Sequence, residues 1–530
     1  MLYFNNQINS KMAISDDIFQ LIKSMNRAEK AYSRRYLQMH SAGKNSSLLQ
    51  LFEAIEKYSV KEDAYDEAEL KKSPAIKKLH HLPVLKNNLY NILADSLYEY
   101  SSGILPEEKV IRLMKRFDVL YSKSLLKQCE SVLKKAKKIA SENELLQFEY
   151  LLLSREKTLS RYIYDVNSYR SAIEKIYTHQ SKVIEKITNI TEFNYISGMY
   201  IALQQQSGTG FTREESETDE KNRLFANPLL QDERNAITKT SKRTFYTCRI
   251  MQAQHEKDYE KAFEYCYKKM CLDKEDARQK KVTIHSFIIS VYSTLVFAIR
   301  TKRFTEFDKI FLNFKDIEQN FHHATDRDKM ESFYYGSVME LSVCSATLNL
   351  ERGIECSKKI SNIFDIYDPR LAIQQKIILI YFLSAFYFIN SDNEKTVKWL
   401  NRLISIPGVD LSEDYQCYAR IMNVIVHYEL GYYDSLEYVL KSAYHFLSRR
   451  KKVYKYEKII LNYMRKSFRV RTDNELIEMF VFMRKDLDEI KNDEFEQNAF
   501  DAFNIMPWLD SKIENIPFID AIRKNGTANS

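Results

Sequence analysis

Lys257-Asp258-Tyr259-Glu260-Lys261-Ala262-Phe263-Glu264-Tyr265 holds the pattern from which the fold is read. A polar step at Lys257-Asp258 is followed by a helical segment whose small residue, Ala262, stands three residues after a turn position. The step returns at Arg303-Phe304-Thr305-Glu306-Phe307, Glu351-Arg352-Gly353-Ile354, Asn393-Glu394-Lys395-Thr396-Val397 and Gly431-Tyr432-Tyr433-Asp434-Ser435-Leu436. With Ala262, Phe307, Ile354, Val397 and Leu436 as anchors, the spacings are 45, 47, 43 and 39 residues. Each unit reads as a long helix, a short polar turn and a second helix. In the last unit Tyr415, Tyr418, Ala419, Met422, Ile425 and Val426 line one helix, and Leu436, Val439, Leu440 and Ala443 line the next. Neither face can be buried within one hairpin, so the hairpins must stack.

The composition agrees. Among 530 residues there are only 10 glycines and 8 prolines, against 36 tyrosines and 30 phenylalanines. Glycine and proline supply turns, strand ends and phosphate-cradling loops, so their scarcity argues for an all-α chain and against loop-based catalysis or nucleotide binding. A hydrophobic content of 45% with 29% charged residues is that of a folded chain with a large core. The net charge of +8 permits an anionic partner without requiring one. Met1 to Ser15 lacks the basic and apolar regions of a secretory signal, and the chain reads as cytoplasmic. Seven cysteines without a C-x-x-C pair read as buried free thiols. Val282 to Ile299 carries no formal charge and Ile377 to Ile389 is almost wholly apolar. The first is rich in serine and threonine and the second is short, so both read as central buried helices, and no membrane span is expected.

Lys257 to Tyr265 and Glu429-Leu430-Gly431-Tyr432-Tyr433-Asp434-Ser435-Leu436 resemble the inter-helix turn and second helix of tetratricopeptide repeats. The units here are longer than that family's consensus of about 34 residues. The resemblance covers Arg243 to Arg450 and implies an α-solenoid with a concave face that binds a partner. The expected fold is therefore all-α, with stacked antiparallel helical hairpins and an amino-terminal helical region. The chain divides into that region (1–105), helical hairpins (106–206), a linker or loop with Gly208, Gly210 and Pro228 (207–233), the repeats (234–450) and a helical cap (451–530). Within the first region, helices are expected over Ser15 to His40, Leu48 to Tyr58 and Val84 to Tyr100. As a helix-turn-helix, this trio would place Lys86, Asn87 and Asn88 at the leading end of a recognition helix. Ser141-Glu142-Asn143-Glu144 has the form of a capping box that restarts a helix.

Motifs that carry chemistry are sparse. Gly208-Thr209-Gly210 lacks the third glycine and the preceding strand of a dinucleotide fingerprint. His80-His81 and His322-His323 are adjacent pairs, and neighbours on a helix point about 100° apart rather than converging on a metal. No catalytic, cofactor-binding or metal-ligating residues are expected, nor any cofactor. The densest basic run gives a candidate polyanion contact: Arg449, Arg450, Lys451, Lys452 and Lys455, interleaved with Tyr454 and Tyr456 and followed by Arg465 and Lys466. The same cations also suit a helix carboxy-terminus. Two functional readings follow. One is a non-enzymatic helical-repeat scaffold binding a protein or peptide. The other is a nucleic-acid-associated or regulatory protein that uses the basic strip or the amino-terminal trio.

Overall fold

A computed structural model describes residues 14–40, 46–59, 66–77, 79, 81–101, 106–206, 215–279, 282–321, 324–406, 413–448, 455–468, 470–493, 496, 499–500 and 503–528. Among them all regular structure is helical. The chain forms two compact units, Met1–Val183 and Ile184–Ser530.

Unit one opens with α1 (Ile14–Ser24), α2 (Arg27–His40), α3 (Ser47–Ser59), α4 (Glu67–Leu70), α5 (Pro74–Lys77) and α6 (Leu82–Ser101). These close over Phe19, Ile22, Leu37, Phe52, Ile55, Leu89 and Leu93. The single helix expected over Ser15 to His40 is two. Asn26 interrupts it, accepting from the N–H groups of Ala28 and Glu29 (both 2.9 Å) while Glu29 accepts from the Asn26 N–H at 2.8 Å. This reciprocal cap satisfies donors that a continuous helix would have bonded elsewhere. The recognition-helix reading of α6 meets a second correction: Lys86 is only 2% exposed and bonds Glu67 at 3.0 Å. It braces α4 against α6 and is not available to a base.

The unit continues with α7 (Pro106–Ser122), α8 (Leu126–Glu142), α9 (Leu146–Ile163) and the first part of α10 (Val166–Gln206). Ser141 and Glu142 belong to α8, so the expected capping box does not form. A left-handed residue, Glu144 at φ 51°, turns the chain instead.

Unit two holds the remainder of α10, α11 (Glu215–Phe225), then five hairpins: α12 (Lys239–His255) with α13 (Tyr259–Arg278), α14 (Ile284–Arg300) with α15 (Phe304–Asn320), α16 (Asp326–Thr347) with α17 (Leu350–Tyr367), α18 (Ile373–Ile389) with α19 (Asn393–Ser405), and α20 (Glu413–Glu429) with α21 (Tyr433–Ser448). After them come α22 (Lys455–Ser467), α23 (Asp473–Ile490), α24 (Met506–Glu514) and α25 (Phe518–Ala528). Part of the stretch read as a linker, 207–233, is helix, and Phe225 and Leu230 pack with Phe193, Phe245 and Tyr246; residues 207–214 lie outside the described residues.

One turn makes every hairpin. The residue between helices is left-handed at Lys257 (φ 60°), Lys302 (56°), Leu348 (54°), Ser391 (57°) and Gly431 (68°). The N–H after it bonds the carbonyl five residues back: Asp258 to Ala253, Arg303 to Ala298, Asn349 to Cys344, Asp392 to Tyr387 and Tyr432 to His427. This six-to-one bond ends one helix while the same residue caps the next. Unit one uses the turn twice more, at Ser124 and Glu144, with Leu125 bonded to Leu120 and Leu145 to Ala140. Four positions after each cap in unit two stands a fully or nearly fully buried residue: Ala262, Phe307, Gly353, Thr396 and Leu436. The true spacings are 45, 46, 43 and 40, and the anchors expected at Ile354 and Val397 shift by one to Gly353 and Thr396.

The first helices pack side by side, α14 on α16, α16 on α18, α18 on α20 and α20 on α22. That accounts for the two apolar segments tested as membrane spans: α14 and α18 are buried on nearly every side, and no helix among the described residues is long and apolar enough to cross a membrane. On the second helices an arginine repeats. Arg303 lies 4.9 Å over Phe263 and 2.7 Å from Glu260; Arg352 lies 5.6 Å over Phe311 and 2.7 Å from Asp308; Arg402 lies 4.5 Å over Phe364 and 2.9 Å from Asp365. Each ties one second helix to the preceding one by stacking and by charge. At the first joint Arg243 reaches both Asp273, at 2.8 Å, and Asp276, while Lys239 and Lys269 complete the neutralisation of these two buried carboxylates. At the far end Trp508 is buried against Tyr428 and Phe480 and donates to Glu429 at 2.7 Å, where Lys512 also pairs. Solenoids need such a polar-backed cap over their last apolar face.

Two glycines give a test. A Cβ on Gly353 would overlap the Phe386 ring, so Gly353→Ala is expected to cost about 1–3 kcal/mol. Gly431→Val places a β-branched residue in the left-handed region and is expected to cost about 1–2 kcal/mol. Chemical denaturation of the two variants checks both values; wild-type stability in either would show that the turn or the α17–α18 approach is looser than described.

Candidate functional site

Because α14, α16, α18 and α20 are buried against one another, each keeps only a narrow half-exposed strip. On α14 the strip is Ile289, Tyr292 and Val296; on α16 it is Tyr335 and Ser342; on α18 it is Ile378, Phe382 and Ala385; on α20 it is Tyr415. The spacing is three or four residues along α14 and α18 and seven along α16, as one exposed face requires. One aromatic side chain per hairpin therefore faces outward, and the rings run together. Tyr292 meets Tyr335 at 4.8 Å, Tyr334 meets Tyr335 at 4.7 Å, Tyr381 meets Tyr415 at 5.2 Å and Phe382 meets Tyr415 at 6.4 Å.

The hydroxyls set this strip apart. Those of Tyr292, Tyr334, Tyr335 and Tyr415 make no hydrogen bond to any described residue, whereas Tyr246, Tyr432, Tyr444 and Tyr463 each donate to a side-chain oxygen. Buried or half-buried phenols ordinarily find a partner. The four are also close enough to oppose one another's ionisation. Burial, then the charge of Tyr292, pushes Tyr415 up to about 12. Burial, then Tyr292, Tyr335 and Tyr415, raises Tyr334. Burial, then Glu331, raises Tyr335. The strip thus carries neutral phenols that can donate and accept, on an apolar bed.

Its leading end is charged. His285 Nδ1 lies 2.5 Å from Glu331, a buried carboxylate that also takes Arg327 at 3.1 Å. Three cysteines, Cys344, Cys356 and Cys417, are buried in the core of unit two, and burial raises Cys344 and Cys356 well above the ordinary thiol range. Such thiols are poor nucleophiles. Six of the seven cysteines are buried and all are free; Cys271 is exposed. No group of three or more potential metal ligands occurs among the described residues.

Of the candidate polyanion contacts, Arg449, Arg450, Lys451 and Lys452 lie outside the described residues. Lys455 opens α22, exposed, with its ammonium 3.7 Å from Asp493 and its N–H donated to Glu496 at 2.9 Å. Lys458, Arg465 and Lys466 share its exposed face, 3, 10 and 11 residues on. No sequence signal singled out Tyr292, Tyr334 or Tyr335, and Tyr415, expected on the packed face of its helix, is half-exposed. Comparison with protein-family models, curated proteins and solved structures finds no match for this chain.

The raised phenols predict an alkaline transition. A phenol whose folded pKa exceeds its unfolded value near 10 stabilises the fold below that pH and loses the contribution as pH climbs through the folded value. Spectrophotometric titration is expected to show the Tyr334–Tyr381–Tyr415 group ionising only as helicity is lost. Smooth titration of all tyrosines near 10 with helicity intact would contradict the described burial.

Proposed function

We propose that this protein is a non-enzymatic, tetratricopeptide-like scaffold that binds a polypeptide along the strip of first helices. The observation that carries the reading is the set of phenol hydroxyls at Tyr292, Tyr335 and Tyr415, which have no hydrogen-bond partner among the described residues, beside apolar Ile289, Ile378 and Phe382. An extended peptide offers what such a surface lacks: backbone carbonyls and N–H groups for the hydroxyls, and side chains for the apolar bed. Free, mostly buried cysteines favour a reducing, cytoplasmic setting.

The test removes oxygen atoms and nothing else. A partner captured by crosslinking from a photoreactive residue at position 335 is to be mapped, and its affinity measured against Tyr292→Phe, Tyr335→Phe and Tyr415→Phe. Each lost hydrogen bond is worth about 1 kcal/mol, so each single change is expected to weaken binding about fivefold and the triple variant far more. A triple variant that binds like wild type would remove the hydroxyls from the interface, and with them the basis of the reading.

A further inference from the structure

A second surface in unit two lies away from the aromatic strip, on a groove of ≈ 730 Å³ between α21 and the end of α22. It runs along α21 past Glu437, Leu440, Tyr444 and Ser448, residues three or four apart and so on one side of the helix, with Lys441 and His445 beside them, and is walled by Arg465 and Phe468. Its floor is apolar: Leu440 is buried, Tyr444 is half-buried, and Phe468 is 41% exposed although large and aromatic. Tyr444 is held in place by its hydroxyl, which donates to Asn462 at 2.5 Å, and by the Arg465 guanidinium 5.8 Å from its ring.

The rim is cationic. Lys458, Arg465 and Lys466 have no carboxylate partner among the described residues; Lys466 rests 4.4 Å over Tyr463. With Lys455 they occupy one exposed side of α22 over eleven residues, roughly 16 Å. The acid on this surface, Glu437, is already paired with Lys441 at 2.7 Å. A groove three helical turns long with an apolar floor, beside cations that have no carboxylate partner among the described residues, is complementary to one kind of partner.

We infer that this groove docks an acidic amphipathic helix of a partner protein. Its apolar side would seat on Leu440, Tyr444 and Phe468, and its carboxylates would face Arg465, Lys458 and Lys466. A helix suits the floor because anchors at three- and four-residue spacing meet a groove that is itself one helix face. Single-stranded nucleic acid suits it less well. Bases stack on successive open rings, and here Arg465 already covers Tyr444, leaving Phe468 alone.

The full-length chain is to be titrated into a fluorescent amphipathic peptide of leucine and glutamate, a matched peptide with lysine in place of glutamate, and an oligothymidylate. The glutamate peptide is expected to bind, weakening as salt rises, and the lysine peptide to bind at least tenfold less tightly. Arg465→Glu and Phe468→Ser are each expected to weaken the glutamate peptide about tenfold. Both residues are exposed, and an unchanged melting curve shows that the fold survives; Lys441→Glu serves as an independent charge reversal. Equal binding of the two peptides, no binding of either, or oligothymidylate binding that is tighter and indifferent to Phe468→Ser would overturn the inference. Because the aromatic strip is untouched by these variants, failure here leaves the strip's own test unaffected.

Discussion

Unit two is organised by a single constraint: from α14 to α20 its first helices have too little polar surface to face water anywhere but along one strip. In α18 the buried set runs from Ile377 through Leu379, Ile380, Tyr381, Leu383, Phe386, Tyr387 and Phe388. Burying each such side chain is worth about 1.5–3 kcal/mol, and two helices cannot cover all of that surface, so the hairpins before and after must. Stacking is therefore the only way this sequence can satisfy its own apolar content. The exposed strip is what remains once stacking is complete. The place where a partner can meet the first helices follows from the packing rather than from any local motif.

Polar interactions refine that arrangement. The left-handed turns align each second helix against its first, and the arginines at 303, 352 and 402 link second helices laterally while their stems cover phenylalanine rings. Partly exposed ion pairs of this kind contribute modestly each. The carboxylates of Asp273 and Asp276 differ, being buried and shared with Arg243. Losing one partner there would leave an uncompensated charge in the interior, a far larger penalty than the pair's net contribution.

Much of this was legible in the sequence, and the exceptions have physical causes. The turns at Lys257-Asp258 and Gly431-Tyr432 were readable because polar or glycine residues break strong helical periodicity. Those at Ser124 and Glu144 were not, since nothing in a serine or glutamate announces a left-handed backbone. The anchors at Ile354 and Val397 were misplaced by one because the buried positions hold Gly353 and Thr396, the first chosen by the approach of Phe386 and the second bonding its hydroxyl to the Asp392 carbonyl. The break at Asn26 had a readable signature in Asn26 and Glu29, overridden by continuous apolar spacing on either side. Lys86 looked solvent-facing because its partner, Glu67, lies on another element. The aromatic strip was invisible for a different reason: among 36 tyrosines, only the three-dimensional packing distinguishes those whose hydroxyls find no partner among the described residues.

Native-state hydrogen exchange measures the shared burial of the first helices most directly. The account predicts that amides of α14, α16, α18 and α20 exchange slowest and together, through opening of unit two as a whole, while α15, α17, α19 and α21 exchange earlier. First helices that exchange independently of one another, or as early as the second helices, would contradict it.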